Sequence, residues 1–356
     1  MARRVIGIDF GAYSVKLVRL ETNKNNKKFE IIDMVEEPLP NDSDTENLDI
    51  LSKYEQILKI LQEKNLLDAD IFATGLSSLD AHMRAMTVPF SDIKKINSIL
   101  LGLLESEVPF NIDEVINSWY LKESNNSLNQ ENINTINIAF AKKQSVSMQL
   151  QALQTVNIDP RIMNLNAALP YELARELGMN ALFYEASLEE KDSKNILSAI
   201  IDLGHSTTNL CLMDKNGFVL SKSIIQGGSK LTEKIAQRLF LSYQDAQNIK
   251  HEILNEEKST HEHSLIVNEL AYEHYLSIVS EIERFFITYN MKLGHISSFS
   301  MMGKASECSL IKSLFIEKLS ALECKFVESS LLLPTNCSCV YANALANAFS
   351  CLSLNI

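Results

Sequence analysis

The stretch VIGIDFGAYSVKLVRL, residues 5–20, decides the fold. Apolar, strand-favouring residues flank a bend at Gly11, which predicts two strands joined by a tight turn. The same arrangement returns in ILSAIIDLGHSTTNLCLM, residues 196–213, and in both stretches an Asp near the end of the first strand is followed two residues later by Gly. Such an internal repeat indicates related structural units. We therefore predict two related halves, each opening with a β-hairpin.

The two predicted bends combine a carboxylate with a glycine, as Asp9 with Gly11 and Asp202 with Gly204. Glycine lets phosphate oxygens approach main-chain N–H groups, and the carboxylate can hold Mg²⁺ through water. Hydroxyl groups and one cation complete the predicted phosphate clamp: Ser14 and Lys16 in the first hairpin, and Ser206, Thr207 and Thr208 in the second. The alternative is plain turn chemistry. Two such motifs, both at strand ends, favour phosphate binding.

A further candidate is the pair Gly227 and Gly228, which precedes a helix predicted to start near Ser229. Tandem glycines before a helix N-terminus form an anion or ribose site. A simple loop cap explains the same residues equally well, and both interpretations stay open.

Composition and charge indicate a globular protein and narrow its partners. Of the 356 residues, 46% are hydrophobic and 22% are charged, and the net charge is −12. Nucleic acids and anionic lipids are bound through Lys and Arg, so this charge argues against direct binding to either. No apolar run approaches the roughly 20 residues of a membrane-spanning helix. The six cysteines are scattered, without a CxxC pair, and the N-terminal residues lead directly into a strand, so we expect a reducing cytoplasm.

The rest of the chain predicts strands and helices arranged in two α/β domains. Strands are predicted at 29–35 and 71–76, a hairpin at 119–121 and 135–140, and helices at 54–64, 91–107, 146–156 and 341–349. We assign 1–185 to domain I, with a core of 1–85 and 146–185 and a small inserted subdomain at about 86–145. The polar run 186–195 is the predicted linker. Domain II takes 196–335, with an inserted subdomain at about 229–295, and 336–356 return to domain I as a terminal helix.

These residues resemble the actin-like ATPase superfamily, whose two α/β domains of ribonuclease H-like fold face each other across a nucleotide cleft. Asp9, Gly11 and Lys16 match its first phosphate hairpin, and Asp202, Gly204 and Thr208 match its second. Over the whole chain the sequence is similar to the type IV pilus assembly protein PilM family, in LESEVPFNIDEV (104–115), INIAFAKK (136–143), IQGGSKLTEKIA (225–236), AQNIK (246–250) and VYANALANAF (340–349). The resemblance implies ATP in the cleft, with Asp9 and Asp202 holding Mg²⁺ through water.

Several positions depart from the pattern that the resemblance implies. The family usually has acidic residues where this chain has Asn164 and Asn166. An amide cannot take a proton, and losing a general base lowers a rate by about 10²–10⁴. Gln247 replaces the acid of an Ala-Glu-x-x-Lys motif that ends at Lys250 and contacts the ribose, and Gly303 is the one glycine left in the adenosine loop. We expect nucleotide binding, with ATP hydrolysis weak or absent.

The resemblance also implies a partner, a short cytoplasmic N-terminal peptide of an inner-membrane PilN-like protein, laid in a groove of domain I. Val108, Pro109 and Phe110 lie in the subdomain that would flank it, although the same residues are equally typical of a turn anchored by a core phenylalanine. The implied function is a cytoplasmic scaffold of pilus assembly, peripheral to the inner membrane through protein partners. Two alternatives stay open: a GspL-like component of type II secretion, and an actin-like ATPase or small-molecule kinase. Self-association is also left open.

Overall fold

Three β-sheets with surrounding helices make up the fold. The structure, a computed structural model, describes residues 2–23, 28–40, 49–105, 108, 110–122, 134–183, 196–254, 261–290 and 293–352. Two sheets have five strands each, and the third has three. Each of the two predicted hairpins belongs to one of the five-stranded sheets.

The first five-stranded sheet is built on the hairpin of residues 5–20. Its strands, in the spatial order β3-β2-β1-β4-β8, span Lys28–Pro38, Ser14–Asn23, Ala2–Phe10, Ile71–Leu76 and Ile162–Leu165. β1, β2 and β3 are antiparallel neighbours, whereas β4 and β8 extend the sheet in parallel with β1. Both faces of β1 are covered, since Val5 belongs to one apolar core and Ile6 and Ile8 to another. The two strands predicted around Gly11 are confirmed.

The second five-stranded sheet repeats this topology. Its strands, in the order β11-β10-β9-β12-β13, span Gly217–Ile224, Thr208–Asp214, Ile196–Leu203, His295–Met302 and Lys325–Phe326. Again the first three strands in sequence are antiparallel, and the last two are parallel to the opening strand. The internal repeat read from the sequence is therefore a repeat of sheet topology as well.

The two hairpins also bend in the same way. The Gly11 amide donates a hydrogen bond to the Ser14 carbonyl at 3.1 Å, and the Gly204 amide donates to the Thr207 carbonyl at 3.0 Å. A Cβ added at Gly11 would lie 2.8 Å from the oxygen it faces, and one at Gly204 would lie 2.7 Å from its counterpart. Since real Cβ atoms do not approach oxygen so closely, this bend requires glycine.

Ten α-helices are found among the described residues. α1 to α5 span Ile50–Glu63, Ile93–Glu105, Lys143–Gln154, Leu169–Leu173 and Met179–Leu182, and α6 to α10 span Gly228–Leu239, Tyr243–Leu254, Ser264–Asn290, Ser309–Ser320 and Ala342–Leu352. One π-helical turn, Ala174–Gly178, separates α4 from α5. In the part of the chain described here, none of these helices has the length and apolar surface to span a bilayer. The predicted linker 186–195 lies outside the described residues.

The three-stranded sheet and α2 form a separate small core. The strands, in the order β5-β7-β6, span Ala81–Val88, Asn134–Lys142 and Val115–Lys122. Ile136, Ile138 and Phe140 of β7 pack with the buried face of α2. β5 already starts at Ala81, so this sheet begins before residue 86, where the sequence placed the subdomain border. Alternation of apolar residues predicts a strand but not the sheet that it joins, and the proposed domain borders stay predictions.

The C-terminal helix α10 packs directly on β1. A Cβ added at Gly7 would lie 2.0 Å from the Ala344 carbonyl oxygen and 2.3 Å from the Ala348 nitrogen. The buried Asn347 side chain donates a hydrogen bond to the Ile8 carbonyl at 3.1 Å. The absence of a side chain at Gly7 therefore sets how closely α10 approaches the first sheet.

Gly7→Ala is expected to destabilise the protein by about 3 kcal/mol or more, because the new methyl group meets backbone atoms that cannot rotate away. Gly102→Ala is the matched control. Its Cβ would meet nothing within 4 Å, and alanine stabilises a helix interior by roughly 0.5–1 kcal/mol relative to glycine. The midpoints of thermal unfolding should fall for the first variant and stay level or rise for the second. Equal midpoints would contradict the close packing of α10 on β1.

Candidate functional site

A cavity lies between the two hairpin bends, with α6, α7 and residues 303–305 completing its walls. Most of the predicted nucleotide-binding residues line it: Asp9, Gly11, Lys16, Asp202, Gly204, Ser206, Thr207, Gly228, Lys250 and Gly303. The fold thus brings together residues from both halves of the chain. Their contact with a nucleotide stays a prediction.

Three predicted residues do not line the cavity and instead support the hairpins. The buried Ser14 hydroxyl donates a hydrogen bond to Glu36 Oε1 at 2.7 Å, and the Thr208 hydroxyl donates to the Gln226 carbonyl at 2.9 Å. Gly227 packs on the second bend, where an added Cβ would lie 2.6 Å from a carbonyl oxygen. In this structure the two hydroxyls are engaged within the protein and the glycine faces backbone, and the contact of these three residues with a nucleotide stays a prediction.

Two buried carboxylates, Asp9 and Asp202, lie on opposite hairpins at this cavity. Each residue is only 6% exposed, and burial raises the pKa of both carboxyl groups. The Lys16 ammonium opposes this effect at both, whereas the charge of Asp202 raises the pKa of Asp9 further. Two carboxylates around one lysine leave negative charge that a divalent cation can balance.

Amide side chains accompany both carboxylates. Asn166 Nδ2 donates to Asp9 Oδ1 at 3.4 Å, and Asn343 Nδ2 donates to Asp202 Oδ2 at 3.1 Å. The Asn166 Oδ1 atom is buried and has no hydrogen-bond partner among the described residues. This oxygen faces Gly75, where an added Cβ would lie 2.0 Å from it, so the amide oxygen is not open to the cavity. The two carboxylates are the groups suited to hold a hydrated Mg²⁺. The residues present therefore fit a nucleotide with a hydrated Mg²⁺.

Sequence reasoning missed Glu36, a third carboxylate that lines the cavity. The predicted strand ended at residue 35, but β3 continues to Pro38 and places Glu36 directly opposite Lys16 of β2. Glu36 Oε1 lies 3.8 Å from Lys16 Nζ. Only the register between β2 and β3 places Glu36 opposite Lys16, and the sequence does not reveal that register.

An aromatic cluster, also missed, connects the first bend to the second half of the molecule. The Tyr13 ring lies 5.4 Å from the rings of both His205 and His251, and the Tyr243 hydroxyl lies 3.2 Å from His205 Nε2. Burial lowers the pKa of both histidines to about 4. They are therefore neutral at pH 7, and the contact between the halves is one of neutral rings.

The wall formed by α6 and α7 contains a buried lysine. Lys250 is 7% exposed, and its Nζ donates three hydrogen bonds: to the Gly228 carbonyl at 2.9 Å, to Thr232 Oγ1 at 2.8 Å and to Gln247 Oε1 at 2.9 Å. Burial lowers the pKa of Lys250 to about 7. The residue that the resemblance assigned to the ribose thus belongs to a polar cluster without a carboxylate acceptor.

The predicted partner-binding turn lies beside the small sheet. Val108 and Phe110 are partly buried against the core of α2 and this sheet, while Pro109 lies outside the described residues. The Phe110 ring lies 6.5 Å from the His82 ring and 5.4 Å from Lys142 Nζ. Phe110 therefore anchors the turn, and contact with a partner stays a prediction.

A second feature of the small sheet is a space that we call the seam. On one side of the seam lie Tyr120 and Asn137 of the sheet, and on the other side lie the helical residues Glu172, Arg175 and Glu176. Tyr120 is 47% exposed, and its hydroxyl accepts a hydrogen bond from Asn137 Nδ2 at 2.9 Å. Asn137 is 1% exposed, and its Oδ1 has no partner in the described part of the chain. Arg175 lies 2.9 Å from both Glu172 and Glu176, so the seam is acidic. Glu172 and Arg175 both influence the Tyr120 hydroxyl electrostatically.

The sequence matches the model of one protein family, and the fold is similar to solved structures of known proteins. A family model described as type IV pilus assembly protein PilM matches residues 7–285. A chain of the PilM-PilN type IV pilus biogenesis complex is similar with a TM-score of 0.77 and 18% identity, covering 98% of this chain and 99% of that one. The ethanolamine utilization protein EutJ from Carboxydothermus hydrogenoformans is similar with a TM-score of 0.50 and 11% identity, covering 98% and 89%. These matches confirm the predicted two-domain, actin-like α/β fold.

Proposed function

The chain belongs to the type IV pilus assembly protein PilM family, and from that premise we propose that it is an actin-like scaffold which binds ATP with Mg²⁺ in its cleft. The observation that carries this proposal is the pair of equivalent bends whose carboxylates, Asp9 and Asp202, face one cavity. A scaffold of this kind works in the cytoplasm and reaches the inner membrane through a PilN-like partner, because its net charge of −12 opposes direct adhesion to anionic lipid.

Each wall of the cavity has a distinct role in holding the nucleotide. Asp9 and Asp202 hold Mg²⁺ through its waters, as expected for an ion that dehydrates reluctantly. Lys16 and the main-chain N–H groups of the glycine bends receive phosphate oxygens. Mg²⁺ supplies charge neutralisation between the phosphates and these carboxylates, and α6 and α7 line the opposite wall of the cavity.

Slow turnover follows from the amides near the cavity. Asn164 Nδ2 donates to Asn347 Oδ1 at 2.8 Å and to Ser350 Oγ at 3.0 Å, and Asn164 does not line the cavity. Of the two amides, therefore, only Asn166 lies where a general base would act. Glu36 is the specific feature that favours an ATPase instead. Its carboxylate, however, accepts a hydrogen bond from Ser14 and lies 3.8 Å from the Lys16 ammonium, so it is engaged within the protein.

The partner peptide extends along the outer edge of β6 into the seam. Within the described residues β6 pairs only with β7, so its other edge can accept a strand from a second chain. Val108 and Phe110 lie at one end of this path and Tyr120 at the other. Because the seam contains two carboxylates and one guanidinium, a peptide with Arg or Lys fits it, and salt should weaken its binding.

Asp202→Ala is expected to weaken binding of ATP with Mg²⁺ by at least about tenfold, or about 1.4 kcal/mol, because the metal loses one of its two carboxylates. Ser14→Ala is the matched contrast, since its hydroxyl does not line the cavity, and a change below about threefold is expected. Isothermal titration calorimetry measures both. Absence of binding by the unchanged protein at millimolar ATP would make it an adaptor without a nucleotide.

Single-turnover cleavage of labelled ATP is expected to be slower than roughly 1 s⁻¹, the low end of ordinary enzyme rates. Asn166→Asp should raise this rate, because the new carboxylate lies beside Asp9, and repulsion raises its pKa towards the range of a general base. Glu36→Gln should leave the slow rate of the unchanged protein as it is. If the unchanged protein cleaves ATP faster than about 1 s⁻¹ and Glu36→Gln loses this activity, the result would favour the ATPase over the scaffold.

Tyr120→Ala is expected to weaken capture of the PilN-like cytoplasmic tail by about tenfold or more while leaving ATP affinity and the unfolding midpoint nearly unchanged, because the ring is half exposed. Phe110→Ala combined with Val108→Asp should abolish capture. Ile93→Ala is the control, since Ile93 is 61% exposed on α2 of the same small core. A pulldown with the synthetic tail and a melting curve for each variant provide the measurement. Intact capture by folded variants of both kinds would place the partner on the second half of the molecule.

A further inference from the structure

Lys250 is a buried cation whose three N–H groups all meet neutral acceptors. The distances of 2.8–2.9 Å to the Gly228 carbonyl, Thr232 Oγ1 and Gln247 Oε1 match the three donors of an ammonium group. A neutral amine has only two N–H groups, so the third contact would need the Thr232 hydroxyl to donate to the nitrogen lone pair and to give up its own bonds to the Gly228 carbonyl and Gln247 Oε1. The geometry thus favours the charged form, while burial opposes it, and no carboxylate among its acceptors balances the charge.

Gln247 is the acceptor that leaves the charge of Lys250 unbalanced. Its Oε1 faces Lys250, so its amide nitrogen must donate to His251 Nε2, which lies 2.9 Å away. His251 therefore accepts at Nε2 and carries its proton on Nδ1. With an acid at position 247, the same geometry would form a buried ion pair with Lys250. The amide retains the hydrogen bonds but removes the counter-charge.

The titratable groups that surround this lysine are predominantly basic. His205 from the second bend, His251 from α7 and His274 from α8 each have a pKa lowered to about 4, with burial as the main cause and Lys250 as a contributor. Further charges act on these histidines rather than on Lys250 itself: Lys16, Lys234, Lys304 and Glu36. Above pH 7 the histidines are neutral, and Lys250 remains as the group of the wall that titrates.

We propose that the α6–α7 wall is an anion subsite in which the ligand supplies the missing counter-charge of Lys250, so that a phosphate-bearing ligand binds together with a proton. The inference rests on the proposed function, since it concerns the same cleft. It adds a subsite for negative charge where the family resemblance implies a ribose contact, and it makes ligand binding depend on pH.

The pKa of Lys250 determines how both the free energy of unfolding and the ligand affinity change with pH. The folded pKa of Lys250, about 7, lies below the value of 10.5 for the exposed side chain, so above pH 7 the unfolded chain binds the proton more tightly. The free energy of unfolding of the ligand-free protein therefore rises as pH increases from about 7 towards 10. An anion favours the protonated lysine, so affinity falls over the same range, by at most about tenfold per pH unit for one proton.

The test combines calorimetry and melting curves between pH 7 and 8.5, above the second pKa of about 6 of a phosphate monoester, and proton release by each probe itself is measured in titrations without protein. ATP with Mg²⁺ and inorganic triphosphate are the two probes, each titrated in buffers of different ionisation enthalpy so that proton uptake is measured directly. The unchanged protein should take up a fraction of a proton per ATP and bind more weakly as pH rises. Gln247→Glu, which supplies the counter-charge, and Lys250→Met, which removes the lysine, should both abolish proton uptake.

Lys230→Met is the matched control, because Lys230 lies on the same helix α6 but is 54% exposed and paired with Glu233. It should behave as the unchanged protein. In melting curves without ligand, the rise of the unfolding midpoint with pH should be lost in Lys250→Met and Gln247→Glu and kept in the control. Binding of ATP without proton uptake would overturn the subsite and leave the proposed function intact. Failure of both probes to bind at millimolar concentration would overturn both.

Discussion

The burial of two like-charged carboxylates against one cleft is the constraint on which the rest of the structure depends. Asp9 and Asp202 come close only because both sheets have the same topology and end in the same glycine bend. Helix α10 contacts both five-stranded sheets, since it packs on β1 at Gly7 and its Asn343 donates a hydrogen bond to Asp202. Lys16 balances part of this charge, and in the proposed function a metal ion balances the rest, so that a bound ligand would stabilise the cleft.

Features with a local cause could be predicted from the sequence. The bends at Gly11 and Gly204 require a residue without a side chain, and that requirement shows as Asp-x-Gly at a strand end. Glu36 and Tyr13 could not be predicted as site residues, because they enter the cavity through strand register and through contact between the two halves. The phosphate role of Thr208 stays a prediction, although the local geometry does not favour it. Its hydroxyl lies near the bend in sequence, but the strand directs it to the Gln226 carbonyl.

A continuous set of contacts joins the cleft to the small sheet. Ser78 Oγ lies 3.5 Å from Thr207 Oγ1 of the second bend. Two residues further along, Asp80 pairs with Lys142 at 3.1 Å, and Lys142 lies over the Phe110 ring at 5.4 Å. Contact alone does not transmit a signal. A nucleotide influences the partner surface through this path to the extent that it binds two arrangements of the bends with different affinity.

Amides stand at two positions of the cleft, Asn166 and Gln247, where the family resemblance implies acids, and they change its expected chemistry. At Asn166 the amide donates to Asp9 but cannot accept a proton, so it offers no base beside the carboxylates that are proposed to hold the metal. At Gln247 the amide still accepts from Lys250 but leaves the lysine charge unbalanced. The cleft then needs a cation near its carboxylates and an anion near its lysine. In the proposed function a metal-bound nucleotide would supply both charges, and without a base it would remain intact while bound. Two amide positions thus favour retention of the ligand over its turnover.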